Sequence, residues 1–278
     1  MEWKLADRSL DLSRPIAAGI VNVTTDSMFA GARSGTAEQA VEDGVELAAA
    51  GFEMLDVGAV AARSGPPVEA EQEAAALVPA VAGLAARAGV PVSADTFSPQ
   101  VAERALAAGA TVVNDISGGG AAMFDVVAAS GCGYVLMHIE GPPRVDREWR
   151  RYEDVVGHLL AWFEARVALA EEHGVAREQI AIDPGLDFDL SPEQDLEILR
   201  RLGELRALGL PLYVSLSRKD FIGAVLAGSW EERWPAERRE WGTVAAVTLA
   251  VRAGAQVLRI HDRSSLQALR VAELVAHG

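Results

Sequence analysis

The sequence predicts a single α/β domain over residues 1–278, folded as one (β/α)8 barrel, the TIM-barrel fold. Short apolar runs alternate eight times with longer runs rich in Ala, Leu and Glu, as in a chain of βα units. The length of 278 residues is close to the roughly 250 residues that eight such units occupy in barrels. The alternative is an open doubly wound sheet, but no G-x-G-x-x-G fingerprint follows the first predicted strand.

The eight predicted strands are short, mostly apolar and not cleanly alternating, which is typical of parallel strands covered on both faces. They span residues 16–23, 54–58, 91–96, 111–116, 134–139, 180–183, 211–217 and 257–261. The predicted helices span residues 37–50, 69–88, 99–108, 123–130, 152–173, 192–207, 242–253 and 264–276. Residues 228–241 are the predicted insertion, a charged surface loop or short helix.

Several predicted helices begin or end at residues that favour a boundary. Ser98 and Ser191 are predicted N-caps, and each is followed by a proline at the first helical position. Four glycines stand just after predicted helix ends, where a left-handed conformation is favoured: Gly51, Gly89, Gly109 and Gly254.

The composition excludes several classes of function. The 25 Lys and Arg residues are outnumbered by 40 Asp and Glu, and the net charge of -15 argues against binding duplex nucleic acid or an anionic membrane surface. The single cysteine, Cys132, cannot form an internal disulfide and is expected to be a buried, inert thiol. Apolar runs stay shorter than the ~18 residues of a membrane span, and residues 1–8 are too charged for a signal peptide. A cytoplasmic protein is therefore expected.

Polar residues end every predicted strand, and in a TIM barrel the carboxyl ends of the strands carry the active site. Asp95, Asn114 and Asp183 end three different strands. Their short side chains suit the edge of a flat, nitrogen-rich heterocycle, because a buried carboxylate can accept two parallel N–H bonds. Further polar residues on this edge are Asn22, Asp56, His138, Ser217, Arg259 and His261.

Positive charge is expected on the same edge, from Arg63, Lys219, Arg259 and His261. Three of these residues lie on or just after the seventh and eighth strands, and the loops that follow these strands often hold phosphate in barrels. Lys219 and Lys4 are the two lysines of the sequence, and all other basic residues are arginines. A lysine here offers a compact ammonium charge with mobile donors. The set predicts a polar heterocycle bound beside an anionic, phosphorylated group.

The histidines predict no metal site. His138 and His261 have no apparent third ligand, and His158 lies in a predicted helix, where it is expected to be solvated or packed. His138 is instead expected to support the residues that contact a ligand.

Eight short motifs occur in order along nearly the whole chain. They are Asn22-Val-Thr-Thr-Asp-Ser27, Asp56-Val-Gly58, Ser93-Ala-Asp-Thr96, Val113-Asn-Asp-Ile-Ser-Gly118, Met137-His-Ile-Glu-Gly-Pro142, Ile182-Asp-Pro-Gly185, Ser217-Arg-Lys-Asp-Phe221 and Arg259-Ile-His-Asp262. Together they resemble the dihydropteroate synthases of the folate pathway, a pterin-binding TIM-barrel family.

The resemblance implies a transferase that condenses 6-hydroxymethyl-7,8-dihydropterin pyrophosphate with 4-aminobenzoate and releases pyrophosphate. It also implies a dissociative, SN1-like reaction, a homodimer, and Mg2+ as the cofactor, with Asn22 as an oxygen ligand of the ion. Carried over position by position, it assigns the catalytic role to Lys219, Asp95, Asp183 and Arg63. It assigns the pterin to Asp95, Asn114, Met137, Asp183, Phe188 and Lys219, the pyrophosphate to Asn22, Arg63, Arg259 and His261, and the aminobenzoate side to Ser217, Phe188 and Lys219.

Three loops depart from the family pattern, and in the first of them Thr25 replaces a usual Pro and Met28 a usual Phe. Residues 59–65 read Ala-Val-Ala-Ala-Arg-Ser-Gly where the family has Gly-Glu-Ser-Thr-Arg-Pro-Gly, which alters the side that binds aminobenzoate and sulfonamides. Asp187 and Asp189 replace two glycines and add acid near the site of an anionic substrate. Two alternatives stay open: a pterin-binding paralogue without synthase activity, and a methyltetrahydrofolate-type methyltransferase. The second has no need of the cations Lys219, Arg259 and His261, which weigh against it.

Overall fold

The structure is a computed structural model that describes residues 1–23, 34–61, 65, 67–145 and 148–277. Its strands are β1 (Glu2–Lys4), β2 (Ser9–Asp11), β3 (Ile16–Asn22), β4 (Met54–Gly58), β5 (Val92–Asp95), β6 (Val112–Asp115), β7 (Gly133–Met137), β8 (Ile180–Asp183), β9 (Tyr213–Ser215) and β10 (Val257–Ile260). Its α-helices are α1 (Ala37–Ala49), α2 (Ala70–Arg87), α3 (Pro99–Ala107), α4 (Ala121–Ser130), α5 (Val155–Glu172), α6 (Pro192–Arg201), α7 (Asp220–Ala227), α8 (Glu240–Arg252) and α9 (Arg263–His277). Segments of 3-10 helix cover Arg177–Gln179, Leu202–Leu208 and Ala236–Arg238. Within the described ranges, no helix has both the length and the apolar character needed to cross a membrane.

Strands β3 to β10 form the (β/α)8 barrel that the sequence predicts. Strands β3 through β8 pair in parallel in chain order, and β10 pairs in parallel with both β3 and β9. The ring closes between β8 and β9, where the N–H of Ile182 donates to the carbonyl oxygen of Pro211 (2.9 Å). In a closed parallel ring all carboxyl ends open at one mouth, so side chains from strands far apart in the chain meet there.

The helices pack their apolar faces against the outside of the barrel. In α2, Leu77, Val81 and Leu84 recur at intervals of three and four residues and are fully buried in one cluster with Val57 of β4. Cys132, just before β7, is a buried free thiol as predicted, and burial raises its pKa to about 11. A thiol that stays protonated is a poor nucleophile, in agreement with the inert role expected for it.

The amino end of the barrel is closed by the β1–β2 hairpin, which the sequence analysis does not predict. Trp3 and Leu5 are buried there, and the indole N–H of Trp3 donates to the carbonyl oxygen of Gln179 (2.7 Å). Each hairpin strand has only three residues, too few for an alternating pattern to stand out. We call this apolar cluster the floor; its members are Trp3, Leu5, Leu12, Ile16, Ala18, Met54, Val112, Val135, Ala181, Tyr213 and Val257.

The predicted strands and helices are present, with ends that differ by a few residues. Strands β4 and β8 have the predicted bounds, whereas β9 is shorter than the predicted 211–217. The sequence analysis does not predict α7, which has Gly223 in its interior and so a lowered helix propensity. A Cβ at Gly223 would lie 2.7 Å from the carbonyl oxygen of Trp234, so close packing requires the glycine.

The predicted serine caps and the glycines predicted after helix ends are confirmed. The side chains of Ser98 and Ser191 accept hydrogen bonds from the third N–H of α3 and α6 respectively. The four glycines predicted after helix ends have positive φ, from 70° at Gly89 to 108° at Gly109.

Candidate active site

The carboxyl ends of the barrel strands form one mouth, and most of the predicted site residues lie at it. The registers pair Asn22 with Gly58, Gly58 with Asp95, and Asp95 with Asn114, so four neighbouring strands reach the same level. A Cβ on Gly58 would lie 3.3 Å from Oδ2 of Asp95. The glycine therefore leaves room for the Asp95 carboxylate to lie across the end of β4.

Arg259 joins the carboxylates of the mouth. Its Nε donates to Oδ2 of Asp56 (2.5 Å) and its Nη2 donates to Oδ2 of Asp95 (2.7 Å). The Nδ2 of Asn114 donates to the same oxygen of Asp56 (3.0 Å). One hydrogen-bond network thus joins the predicted site residues Asp95, Asn114 and Arg259. The network also contains Asp56, to which the sequence analysis assigns no role.

The network around Arg259 is largely buried and sets one guanidinium against two carboxyl groups. Asp56 is fully buried, and its Oδ1 has no hydrogen-bond partner among the described residues. Burial raises the pKa of Asp95 to about 7; Arg259 opposes this rise, and the nearby Asp56 and Glu73 add to it. Burial disfavours the charge of Arg259, but Asp56 and Asp95 outweigh that effect and raise its pKa. One guanidinium serves two carboxylates, so the mouth can accept further hydrogen bonds from a ligand.

Asp183 presents a second buried carboxylate at the end of β8. Its Oδ1 accepts from the N–H of Gly185 (2.9 Å) and its Oδ2 accepts from the hydroxyl of Ser215 (3.0 Å). Burial raises the pKa of Asp183, partly offset by the bond from Gly185 and by the charge of Lys219. Gly185 has φ +73°, and a Cβ there would collide with the carbonyl oxygen of His138, so the turn that orients Asp183 requires glycine.

Lys219 and Phe188 lie together beside the Asp183 turn. Nζ of Lys219 donates to the carbonyl oxygen of Leu186 (3.0 Å) and lies 4.8 Å from the centroid of the Phe188 ring. Phe188 also packs against a small apolar cluster that contains Met137. The cluster includes Phe97, which the sequence analysis does not assign to the site.

Asp187 has a different role from the one expected. Its carboxylate accepts hydrogen bonds from the backbone N–H groups of Asp220 and Phe221, the latter at 2.8 Å, and so caps the first turn of α7. The residue has φ +70°, in the left-handed region that few residues other than glycine adopt. The partial positive charge of a helix N-terminus compensates a carboxylate in this position. Asp187 therefore caps α7, a role that the sequence analysis does not assign to it.

His261 and Ser217 form a pair at the ends of β9 and β10. Oγ of Ser217 lies 2.7 Å from Nδ1 of His261 and accepts from the His261 backbone N–H (3.2 Å). Burial, together with the charges of Arg259 and Arg218, lowers the pKa of His261 to about 3. The ring is therefore neutral at pH 7. It offers a neutral hydrogen-bonding group in place of the positive charge that the sequence analysis expects.

Two residues expected at the pyrophosphate end are Asn22 and Arg63. Asn22 is half-buried and is the last residue of β3, at the level of Gly58. Arg63 and its neighbours 62 and 64 lie outside the described residues, as do Thr24 and Asp26 of the first loop.

His138 lies beside two further side chains that could share a metal ion with it, a grouping that the sequence analysis does not predict. Its Nε2 lies 3.3 Å from Nε2 of His158, and Nε2 of His158 lies 3.0 Å from Oε1 of Glu140. His158 belongs to the first turn of α5, which starts beside the end of β7. The position of His158 is the sequence signal that could have identified this contact, because a histidine near the start of a helix in a βα unit lies close to the mouth.

Sequence reasoning also misses two polar residues inside apolar strands, Ser93 and Tyr213. Both are fully buried, and neither hydroxyl has a hydrogen-bond partner among the described residues. Burial, with the added charge of Asp56, raises the pKa of Tyr213 well above its ordinary value. A polar residue within an otherwise apolar parallel strand was the signal that could have identified them.

The fold and the mouth define the class of protein: a TIM-barrel enzyme whose site offers carboxylates, an amide, an ammonium and a guanidinium to one small ligand. The family model for pterin binding enzymes matches residues 18–261. The chain belongs to the pterin binding enzyme family, and the family resemblance seen in its motifs is confirmed.

Named relatives cover almost the full chain. A dihydropteroate synthase of Synechocystis sp. is 36% identical over 267 residues, which are 94% of this chain and 90% of the relative. The structure of the Xanthomonas albilineans dihydropteroate synthase in complex with 7,8-dihydropteroate superposes with a TM-score of 0.86, at 36% identity and 100% coverage of both chains. The crystal structure of the Thermus thermophilus enzyme in complex with 6HMPPP has a TM-score of 0.81, at 36% identity and 99% coverage of both chains.

Proposed function

We propose that this chain is a dihydropteroate synthase, a transferase of folate biosynthesis that acts in the cytoplasm as one domain over residues 1–278. It condenses 6-hydroxymethyl-7,8-dihydropterin pyrophosphate with 4-aminobenzoate to give 7,8-dihydropteroate and pyrophosphate. The observation that carries the proposal is the convergence of Asp95, Asn114, Asp183, Lys219 and Arg259 at one mouth. Similarity to named dihydropteroate synthases over 94% of the chain supports it.

The carboxylates bind the amino-pyrimidinone edge of the pterin. Asp183 and Asp95 accept its N–H groups, and Asn114, whose amide both donates and accepts, contacts the same edge. The two bonds that Asp183 already accepts, from Gly185 and Ser215, leave a second lone pair on each oxygen for the ligand.

The remaining pterin contacts come from the opposite side of the mouth. Lys219, held close by the carbonyl of Leu186, donates to the pterin carbonyl and a ring nitrogen. Met137 and Phe188, which share one apolar cluster, cover the faces of the ring. The ring is thereby fixed at its edge by charge and at its faces by apolar contact.

Arg259 exchanges partners when substrate binds. Its bonds to Asp56 and Asp95 hold two carboxylates that would otherwise repel each other. Pyrophosphate oxygens then accept some of the hydrogen bonds of the guanidinium, because its planar, forked donors match the geometry of phosphate oxygens. Asp95 is then released to accept from the pterin, so binding of the two halves of the substrate is coupled.

The reaction needs no side-chain nucleophile. The C–O bond of the pterin ester breaks first, and the electron pair leaves with pyrophosphate. Asp95 and Asp183 stabilise the cation that forms on the pterin methylene, while Arg259 and the neutral N–H of His261 stabilise the leaving anion. Arg63 adds a second guanidinium to that anion. The aminobenzoate nitrogen then attacks the methylene and passes one proton to the released pyrophosphate.

Aminobenzoate binds between the pterin and the end of β9. Ser217, Phe188 and Lys219 border this side, and the Ser217 hydroxyl is oriented by its contact with His261. The ring of Phe188 is near Lys219, so an aromatic carboxylate has both an apolar surface and a cation within reach.

Mg2+ is the cofactor implied for this reaction, and the donors present fit it. The amide oxygen of Asn22 is a hard neutral ligand, and Mg2+ commonly takes few protein ligands because it keeps waters and binds substrate phosphates. When bound there, the ion would neutralise charge on the departing pyrophosphate.

The protein acts as a homodimer through its α7–α9 side. These helices expose large apolar side chains to solvent: Val225, Leu226, Trp241, Leu249, Val271, Leu274 and Val275. Exposed apolar patches of this kind mark interfaces, and a second copy would cover them symmetrically. Light scattering tests this proposal: the wild type is expected to be a dimer, and Leu274→Glu is expected to be a monomer.

The test of the proposed activity is a single incubation with pterin pyrophosphate, Mg2+ and 4-aminobenzoate. Equal amounts of pyrophosphate and dihydropteroate are expected, and the formation of both should depend on aminobenzoate. Asp183→Asn is measured in the same assay. Its matched control is Asp125→Asn, which changes a surface carboxylate on α4 and should retain wild-type turnover. Binding of the ester without turnover would instead indicate a pterin-binding paralogue, and no binding of the ester would indicate the methyltransferase class.

A further inference from the structure

Three side chains that the proposed reaction does not use meet beside the end of β7. His138 and Glu140 follow the strand, and His158 comes from the first turn of α5. The two Nε2 atoms lie 3.3 Å apart, Oε1 of Glu140 lies 3.0 Å from His158 Nε2, and it lies 3.9 Å from His138 Nε2. Among the described residues, these three side chains place their ligand atoms close enough together to hold one metal ion.

Protons alone satisfy this arrangement poorly. A neutral imidazole carries one hydrogen, so Nε2 of His158 cannot donate fully to both Glu140 and His138. If Nε2 of His158 carries no hydrogen, its lone pair faces the carboxylate instead.

The spacing matches what a metal ion requires. Zinc binds histidine nitrogen at about 2.0–2.1 Å in tetrahedral sites, which separates two such nitrogens by about 3.4 Å. The observed separation of the two Nε2 atoms is 3.3 Å. The longer distance of 3.9 Å between Glu140 and His138 needs only a small rotation of the half-buried glutamate side chain.

The surroundings hold the ligands in place and leave an entry route. His138 is buried against the edge of the Trp162 ring, at a centroid distance of 4.9 Å. Tyr152 stacks on His158 (4.0 Å between centroids), and its hydroxyl donates to Oε1 of Glu140 (3.4 Å). Contacts of this kind orient ligands in metal sites. Glu140 and His158 each expose 27% of their side chains, so an ion can reach them from solvent.

We propose that His138, Glu140 and His158 bind one divalent transition-metal ion of the zinc class, with a fourth position left for water. Two imidazoles are borderline-soft ligands, and together with one carboxylate they form a His2Glu set that favours zinc over the hard Mg2+ expected at the phosphates. The site is independent of the proposed synthase activity. Because His138 directly follows Met137 and its N–H donates to the carbonyl of Asp183 (2.8 Å), the ion would stabilise the β7–β8 edge of the mouth.

The test uses the full-length chain without an affinity tag. Equilibrium dialysis with Zn2+ and titration with Co2+ are done on the wild type, His158→Gln, Glu140→Gln and His173→Gln. His173, at the C-terminal end of α5, pairs with Asp125 at the surface and is the matched control. Circular dichroism verifies that each variant is folded.

We expect one Zn2+ per wild-type chain and the visible d–d absorption of tetrahedral Co2+. His173→Gln should match the wild type, while His158→Gln and Glu140→Gln should bind at least ~10-fold more weakly and lose the Co2+ bands. Zn2+ should raise Tm in the wild type and His173→Gln only. Absence of stoichiometric binding, or equal binding by all four proteins, would overturn the proposal.

Discussion

The two ends of the barrel are built from the same strands but hold their polar groups differently. At the floor, Trp3 satisfies its indole N–H with one backbone carbonyl, and apolar side chains surround it. At the mouth, Arg259 is shared between two carboxylates, and Asp56 keeps one buried oxygen without a partner in the described part of the chain. The floor therefore contributes stability, whereas the mouth gives up stability to keep groups available for a ligand.

Tyr213 marks the boundary between the two ends. Its ring packs in the floor, yet the charge of Asp56 contributes to its raised pKa. The division between floor and mouth thus runs through single strands, with about one residue separating them on β9.

The largest effect should come from the floor. Trp3→Ala removes a fully buried indole and should lower the free energy of unfolding by about 3–5 kcal/mol. Denaturant unfolding measures this. Glu2→Ala, an exposed neighbour on β1, is the control and should change stability by less than ~0.5 kcal/mol. A loss of pterin affinity in folded Trp3→Ala would break the comparison, because the floor would then act on the mouth.

The next effect concerns the mouth. Asp183→Asn keeps the shape of the side chain but removes its charge, and should weaken binding of a pterin fragment by about 1.5–3 kcal/mol, or roughly 10- to 150-fold. Calorimetric titration measures the affinity. Stability should hardly fall, because burial already disfavours the ionised form of this carboxylate. Unchanged affinity would contradict the assigned role of Asp183.

A smaller effect distinguishes a loss of stability from a loss of pterin binding at the mouth. Asp187→Ala removes the cap of α7 and should cost about 0.5–2 kcal/mol of stability. Ser98→Ala, which removes the cap of α3, should cost a similar amount. Only the first should weaken pterin binding, because α7 begins directly after Lys219. Equal binding by the two variants would show that the α7 cap does not position Lys219.

The last effect depends on pH and concerns His261. Its folded-state pKa of about 3 lies below the ordinary value of 6.5, so the unfolded chain takes up a proton that the folded chain does not. Wild-type stability should therefore fall relative to His261→Gln as the pH drops from 6.5 toward 3, by at most ~1.4 kcal/mol per pH unit. Denaturant unfolding at several pH values measures the difference. A constant difference would show that the folded ring titrates normally.

Much of the fold and part of the site could be predicted from local pattern. The apolar runs located the barrel strands, and the serine caps and glycines located helix ends, because these signals depend on neighbours a few residues away. The hairpin and α7 were missed because three-residue strands and a helix with an internal glycine carry little local signal. The capping role of Asp187 could not be predicted because its partners lie more than 30 residues later.

By itself, the sequence determined the order of strands and helices, the residues at the strand ends and the family motifs, since each is written in short stretches of chain. Only the tertiary structure decided which charges meet. Arg259 and Asp56 are 203 positions apart, and they pair because β10 closes the ring beside β3. The same holds for His138 and His158, whose approach depends on how α5 returns over β7. Pairing at a barrel mouth follows from ring closure and burial, which act over distances that no local pattern records.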